Sequence, residues 1–413
     1  MSKIEQLIQQ LCPEGVEYKR LGEVLAYEQP SKYIVASTDY EEDGIPVLTA
    51  GQTFILGYTS EQKGIYSASE KNPVIIFDDF TTSFHWVTFD FKVKSSAMKM
   101  LKPIGNDVSF RYIYYAMKCI RYETSEHARQ WIAKYSQIEI PLPPLPVQQE
   151  IVRILDAFTQ LEAELEAELE ARKKQYAYYR DTLLSFEHDD PKFSIKRGQS
   201  NLLGLSSGRK LDEVKVEWKR LGEVCEMRNG YTPSKSKPEY WEDGNIPWFR
   251  MEDIRTNGRI LSDSIQHITA EGVKGAGLFS ANSIILATTA TIGEHALIIV
   301  DSLANQQFTN LSIRKSLESE IVIKFFFYYM FIVDEWCKNN TNPGTFASVD
   351  TKKLANVLIP LPPLPVQQEI VRILDKFEAL TSDLQSGLPA EIEARRKQYE
   401  YYRDQLLTFK IKN

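Results

Sequence analysis

Few residues of this chain are of a type and spacing that could do chemistry. Adjacent Asp78 and Asp79, and the Glu-x-Lys within DEVKVEWK (212–219), are the carboxylates and lysine that metal-dependent phosphodiester cleavage uses. Such cleavage needs the groups clustered, and the Glu-x-Lys at 213–215 has no counterpart in the first half of the chain, so both are expected to be structural or solvated. Cys12, Cys119, Cys225 and Cys337 stand far apart with no C-x-x-C pair, and the 5 histidines show no H-E-x-x-H spacing. Reduced structural thiols and no metal site are expected.

A chain of 413 residues is long for one core and comfortable for two domains, and 43% hydrophobic with 25% charged residues is ordinary globular composition. The net charge of -7 argues at first against binding phosphates. Glu162, Glu164, Glu166, Glu168 and Glu170 all fall in one helical run, however, so a basic face can coexist with an acidic total. The apolar run at 321–333 (IVIKFFFYYMFIV) is interrupted by Lys324 and is too short to span a bilayer, which favours a buried helix and no membrane partner. MSKIEQLIQQLCPEG lacks the pattern of a secretory signal, so a cytoplasmic location is expected.

The chain is written twice. EYKRLGEV (17–24) returns as EWKRLGEV (217–224), IPLPPLPVQQEIVRILD (140–156) returns unchanged at 359–375, and EARKKQYAYYRDTLLSF (170–186) returns as EARRKQYEYYRDQLLTF (393–409). Between these words lie bodies, 25–139 and 225–358, that share only outlines: GIPVL against NIPWF, PVIIFDD against SIILATT, RYIYYAM against KFFFYYM. Short β-rich runs followed by an aromatic helix predict an α+β head in each half. The repeat divides the chain into a first head (1–146), a central helix (147–190), a linker (191–216), a second head (217–365) and a C-terminal helix (366–413).

IPLPPLP cannot be helical and is expected to be a stiff polyproline-type elbow, with Pro146 and Pro365 in the first turn of the helix that follows. PLPPLP also resembles a ligand of SH3-type domains, but direct continuation into the same amphipathic helix in both copies favours the elbow. Ile151, Phe158 and Leu165 fall seven apart, as do Leu155 and Leu169, then Tyr176 and Leu183; Ile370, Leu374, Phe377, Leu384, Ile392, Tyr399, Tyr402 and Leu406 repeat the seam. Each helix therefore has the other as its natural partner. Between Asp156 and the shared EAR the first copy has 13 residues and the second 17, the four-residue excess of a stutter, with a break expected near Gly387 and Pro389. The expected architecture is a pseudo-two-fold dumbbell: two pseudo-repeated heads joined by two long antiparallel coiled-coil helices. A helix of about 40 residues spans roughly 60 Å, enough to hold two heads about one DNA turn apart, roughly 34 Å.

LCPEGVEYKRLGEV (11–24), both copies of IPLPPLPVQQEIVRILD, and KKQYAYYRDTLL (173–184) with RKQYEYYRDQLL (396–407) together resemble the specificity subunits of type I restriction-modification enzymes, in order and over the whole chain. GIPVLTAGQTFILGYT and VIIFDDFTTSFHWVTFDFKVKSSAMKML resemble one recurring head type of that family; NIPWFRMEDIR, TATIGE and NPGTFASVDTKKL resemble another. The resemblance implies a prokaryotic, catalytically inert subunit whose two heads each read half of a bipartite asymmetric DNA site. It implies that the helices set the spacer and dock two methyltransferase subunits, with two restriction subunits joining. S-adenosylmethionine, ATP and Mg would belong to those partners, and no cofactor to this chain. LEAELEAELEAR (161–172) is similar to four-residue repeats that some members carry here. Each such unit advances a helix by about 6 Å and about 40° beyond a full turn, so it would change the spacer in discrete steps. The methyl-transfer loop [N/D]-P-P-[Y/F] and a glycine-rich donor-binding turn are both missing from the sequence, NTNPGTF (340–346) being a distant echo.

Base edges are read by Arg, Lys, Asn and Gln, and more loosely by Ser and Thr, while other cations hold phosphates. Loop residues of these types are the DNA-contact candidates: Thr49, Gln52, Thr81, Thr82, Lys92, Lys94, Ser95 and Lys99 in the first head. In the second they are Arg228, Tyr231, Arg250, Arg255, Thr288, Thr291, Gln306, Gln307 and Asn310. Tyr176, Tyr178, Tyr179 and Arg180, with Tyr399, Tyr401, Tyr402 and Arg403, put more aromatics around a helix than one seam can bury, which marks a subunit interface. A pseudo-symmetric adaptor that holds two proteins without reading DNA is the competing function.

Overall fold

The computed structural model describes residues 2–51, 53–105, 107–123, 128–186, 216–342, 347–382 and 386–412. Gln52, Leu384, residues 187–190 of the expected central helix, residues 191–215 of the linker and residues 343–346 of the NPGTF segment lie outside the described residues. Two compact units form: Met1–Leu165 with Ile392–Asn413, and Glu166–Glu391. Both are α+β, and each takes one end of each long helical region. Among the described residues no helix is long and apolar enough to cross a membrane.

In the first unit the strands are, in chain order, β1 Glu17–Arg20, β2 Leu25–Glu28, β3 Ile45–Leu48, β4 Ile55–Thr59, β5 Val74–Asp78, β6 Phe84–Val87, β7 Lys92–Val93, β8 Met98–Pro103 and β9 Glu139–Leu142. They pair as a sheet β2-β8-β5-β6, a sheet β4-β3-β7 and the pair β1-β9. The sequence of β5 explains the layering. Its period-2 alternation sends Ile75 and Phe77 into a core shared with the aromatic helix Phe110–Lys118, and Val74 and Ile76 into a second core against the β3 sheet. With both faces covered, every residue of β5 is buried, and β-branched and aromatic side chains suit that setting.

The second unit repeats the plan. Its strands are β10 Glu217–Arg220, β11 Cys225–Asn229, β12 Ile246–Phe249, β13 Ile260–Leu261, β14 His267–Ile268, β15 Ser283–Ala287, β16 His295–Ile298, β17 Leu303–Ala304, β18 Phe308–Ile313, β19 Thr341–Asn342, β20 Ser348–Val349 and β21 Leu358–Leu361. The sheets β11-β18-β15-β16-β13 and β14-β12-β17 and the pair β10-β21 match the first unit strand for strand, with β13 and the pair β19-β20 added. Central β15 again splits, Ile284 and Leu286 toward the aromatic helix Ile323–Asn339, Ile285 and Ala287 toward the smaller sheet. Lys324 does not break that helix; its ammonium leaves the apolar run to pair with Asp375 at 2.8 Å.

The duplicated words meet in space within each unit. β1 pairs antiparallel with β9 and β10 with β21, so EYKR lies on EIPL and EWKR on LIPL. The first half of each elbow is thus a strand, which corrects the expectation of a polyproline-type segment over that stretch. Pro141 and Pro360 are tolerated there because a two-stranded ribbon leaves each strand an edge where a missing N–H costs nothing. Leu145–Leu184 and Leu364–Ser382 then start as helices with proline as second residue, as expected.

Two side chains of the repeated string explain its constancy. Gln148 accepts from the Ser109 amide at 2.9 Å and donates to the Pro143 carbonyl at 2.8 Å. Gln367 accepts from the Val322 amide at 2.8 Å and donates to the Pro362 carbonyl at 2.8 Å. Each buried amide satisfies one otherwise orphaned N–H at the start of the aromatic helix and one elbow carbonyl. About two turns later Asp156 accepts from Tyr115 and Arg111, and Asp375 from Tyr328 and Lys324. The string therefore bolts each head to its helix with the same two bolts.

Leu145–Leu184 runs unbroken for 40 residues, whereas the second copy ends at Ser382 and restarts as Leu388–Leu406, a break where Gly387 stands. In the first unit Phe158 stacks on Tyr402 and meets Tyr399 edge-on, and Glu162 pairs with Arg396 at 2.6 Å, so the two segments run in opposite directions. In the second unit Tyr176 and Tyr179 both stack on Phe377. The last residues return to the first head: the Val16 amide donates to the Lys410 carbonyl and the Tyr18 hydroxyl to the Phe409 carbonyl. Gly15, at φ +104, is required there, since a Cβ would stand 2.5 Å from the Lys410 oxygen.

Candidate nucleic-acid interface

Three chain segments converge at one point of each head, and the two points are equivalent. In the first, the Asp79 amide donates to the Ala97 carbonyl at 2.9 Å, and its carbonyl accepts from the Gln130 amide at 2.7 Å. In the second, the Thr288 amide donates to the Gln307 carbonyl at 2.9 Å, and its carbonyl accepts from the Val349 amide at 2.9 Å. The β5–β6 and β15–β16 hairpin tips, the residues entering β8 and β18, and the segment preceding each elbow are thereby locked together. The last residue of β3 or β12 joins them, because the Lys94 amide bonds the Leu48 carbonyl and the Asn305 amide bonds the Phe249 carbonyl.

This apex gathers Thr49, Thr81, Thr82, Lys94 and Ser95 in the first head and Arg250, Thr288, Thr291, Gln306 and Gln307 in the second. Lys94, Thr81 and Gln306 are exposed; Thr49, Ser95, Arg250, Thr291 and Gln307 are half-buried. Thr232 bonds Gln306 at 2.5 Å and Asn305 bonds Gln307 at 3.2 Å, giving the second apex an amide-rich surface. The first is cationic at its rim: Arg129, 49% exposed, lies 3.7 Å from Asp79 and over the Phe80 ring. Phe80, Arg129, Thr232, Asn305 and Ser348 were not singled out from sequence. Their signal is positional only, since each becomes visible once the segments are known to meet.

Most of the other candidates are taken up inside the fold, and for these the expectation that they face a ligand is corrected. Lys99, 0% exposed, pairs with buried Asp79 at 3.1 Å, because central β8 has both faces covered. Lys92 is buried, donating to the Lys63 carbonyl at 2.6 Å and pairing with Glu61 at 2.9 Å. Asn310 is buried in β18, bonded to Ser283 at 2.8 Å. Thr288 contributes backbone to the apex, while its hydroxyl is buried against Thr309. Arg228 lies over the Phe279 ring and donates to the carbonyls of Ala276, Gly277 and Leu278, which uses its guanidinium to hold a loop. Tyr231 similarly accepts from the Lys274 amide at 2.6 Å. Arg255 is exposed on the helix Met251–Asn257, outside the three segments.

Asp78 and Asp79 serve the same apex structurally. Asp78 Oδ1 accepts from the Phe80 and Thr81 amides at 2.8 and 2.9 Å, fixing the hairpin tip, and Asp79 Oδ1 accepts from the Gln130 and Trp131 amides. Beside Thr49, His85 stacks on Phe54 at 4.4 Å, and burial followed by the nearby Lys118 charge holds its pKa below the usual imidazole value. Burial raises all the thiols, Cys119 to about 11, so none is poised as a nucleophile.

On the helices, Tyr178, Tyr401 and Tyr402 are 48, 62 and 41% exposed. Tyr176 and Tyr399 are spent on Phe377 and Phe158, and burial pushes both phenols above their ordinary pKa. Tyr179 stacks on Phe377, Arg180 pairs with Asp181 and lies over Phe331, and Arg403 pairs with Asp404. The surface part of the expected subunit face is therefore Tyr178, Tyr401 and Tyr402.

Comparison with known proteins agrees with this plan. The family model described as type I restriction modification DNA specificity domain matches twice, at residues 13–171 and 213–394. The type I restriction enzyme EcoR124I/EcoR124II specificity subunit of Escherichia coli is 45% identical over 430 residues, covering 99% of this chain and 98% of that protein. The EcoprrI specificity subunit of Escherichia coli is 56% identical over 207 residues, 48% of this chain and 52% of that protein. A solved structure from work on complex assembly and conformational transition of the type I R-M system shares the fold with a TM-score of 0.59 at 18% identity, covering 96% of this chain and 98% of that one. Two matched domains, one in each half, and a relative aligned nearly end to end place the chain in the family of type I restriction-modification DNA specificity subunits.

Proposed function

We propose that each head reads one half of a bipartite, asymmetric double-stranded DNA site through its apex, and that the chain itself performs no catalysis. The observation that carries this reading is the pair of equivalent apices: one backbone frame, locked by the same hydrogen bonds, presents Thr81, Lys94 and Ser95 in one head and Arg250, Gln306 and Gln307 in the other. A shared frame with unlike polar side chains is what two readers of unlike sequences need.

The long helices form the antiparallel coiled coil that fixes the spacer between half-sites, a reading supported by the heptad seam and by the opposed Phe158–Tyr402 and Glu162–Arg396 pairs. Exposed Tyr178 and Tyr401 occupy matching positions of the repeat and so suit two copies of one partner, a methyltransferase subunit. Two restriction subunits complete the complex in a prokaryotic cytoplasm. Its partners hold S-adenosylmethionine for methylating an adenine in each half-site, and ATP with Mg²⁺ for translocation and cleavage of unmodified DNA.

Exchanging the first body, residues 25–139, for that of another member tests this reading. One half of the methylated motif changes and the other half and the spacer stay; a motif unchanged in both halves supports the protein adaptor instead.

A further inference from the structure

Among the described residues, four that are not glycine have left-handed backbone: Thr82, Asp243, Asn282 and Ala290. Asp and Asn visit that region routinely, whereas alanine rarely does and a β-branched threonine there is a genuine outlier. Thr82 and Ala290 are the unusual two, and they sit in the tips of the equivalent β5–β6 and β15–β16 hairpins, one in each head.

The hydrogen bonds fix their correspondence. The Thr82 amide donates to the Asp78 carbonyl and the Asp78 amide to the Ser83 carbonyl; the Gly293 amide donates to the Ala287 carbonyl and the Ala287 amide to the Glu294 carbonyl. Thr82 therefore matches Gly293, at φ +60 and +76. The second head meets the left-handed requirement with glycine, where a Cβ would stand 2.5 Å from the Asp334 oxygen, and places its strained residue in a tip two residues longer. The first head keeps a threonine where glycine is unstrained, its hydroxyl bonded to the Thr81 carbonyl at 2.7 Å. Strain that the surroundings hold in place, found in the equivalent hairpin tip of both heads though at different positions within it, marks a site of function. What the tips expose is suited to base edges: Thr81, its hydroxyl 2.6 Å from that of Ser83, and Ala290 between Thr289 and Thr291. A two-stranded ribbon is also of a size the DNA major groove admits.

We infer that the two strained hairpin tips, Thr81–Thr82 in the first head and Thr289–Ala290–Thr291 in the second, determine which bases each half-site accepts. This rests on the DNA-reading role proposed above. The test expresses the full chain with a type I methyltransferase partner and sequences the host methylome for the parent, Thr82→Gly, Ala290→Gly and Thr81→Val. Both glycine variants relieve strain and leave the melting temperature of the complex unchanged or raised. Thr82→Gly and Thr81→Val raise methylation at sites carrying a wrong base in one half of the motif by about tenfold, the discrimination of a single base contact. Ala290→Gly does so in the other half only. Variants that keep both halves as strict as the parent overturn the assignment. If Thr82→Gly abolishes methylation, Thr81→Val decides, since it leaves the backbone alone: a relaxed half supports the assignment and a strict one overturns it. A parent with no bipartite motif overturns the DNA-reading role itself, a distinguishable result.

Discussion

Tyr115 donates to Asp156 at 2.5 Å in the first unit, and Tyr328 donates to Asp375 at 2.6 Å at the equivalent point of the second. Each bond joins the aromatic helix that closes a head to the helix that leaves it, and Arg111 or Lys324 supplies a cation to the same carboxylate. Tyr115→Phe removes a hydrogen bond to a charged group and should lower the stability of the first unit by about 2 kcal/mol. Urea titration followed by hydrogen exchange in Phe110–Lys118 checks it, with the second unit unaffected.

Besides the exchange of Arg111 for Lys324, the two clamps differ where Thr159 in the first is replaced by Glu378 in the second. Tyr328 lies 2.6 Å from Glu378 as well as from Asp375, and one phenol proton serves only one of them. Burial first, and then the Asp375 charge, raise the Glu378 pKa. A carboxyl whose folded pKa is raised contributes stability that is full below its unfolded value, near 4.5, and is lost as pH climbs through the folded value. Melting temperatures of Glu378→Gln should therefore fall less than those of the parent as pH rises above the unfolded carboxyl value of 4.5. Equal pH slopes would contradict the raised carboxyl.

Lys99 and Asp79 form a buried pair at 3.1 Å. Lys99→Met takes from the buried Asp79 carboxylate its nearest cation, leaving the half-exposed Arg129 at 3.7 Å, which should cost about 3 kcal/mol in a denaturant melt while the methylated motif stays the same. A stable variant with an altered motif would return Lys99 to the DNA surface.

The repeat, the α+β heads, the helix starts at Pro146 and Pro365 and the break near Gly387 were legible because proline, glycine and period are local signals. The elbow strand was not: Pro141 pairs because Tyr18, far away in sequence, lies opposite it. Lys92 and Lys94 share strand parity, yet β7 ends at Val93, so one is buried and the other exposed. Lys99 reads from sequence as a DNA-contact candidate because its partner Asp79 is brought to it only by the β5–β8 pairing. The apex likewise depends on Gln130 and Val349 returning to the hairpins, a long-range contact with no local signature.

Tyr178→Asp with Tyr401→Asp changes two exposed rings at matching positions of the repeat. The isolated chain should keep its stability within about 0.5 kcal/mol, as surface substitutions do. Co-purification of the methyltransferase subunit should drop; undiminished recovery would move the docking face elsewhere.

The central claim is that one chain carries two independent DNA readers at a fixed separation. Methylome sequencing of a host expressing this chain with a type I methyltransferase partner tests it most directly. The account predicts one bipartite, asymmetric motif with a constant spacer and an adenine methylated in each half. A continuous motif, a variable spacer or no motif would contradict it.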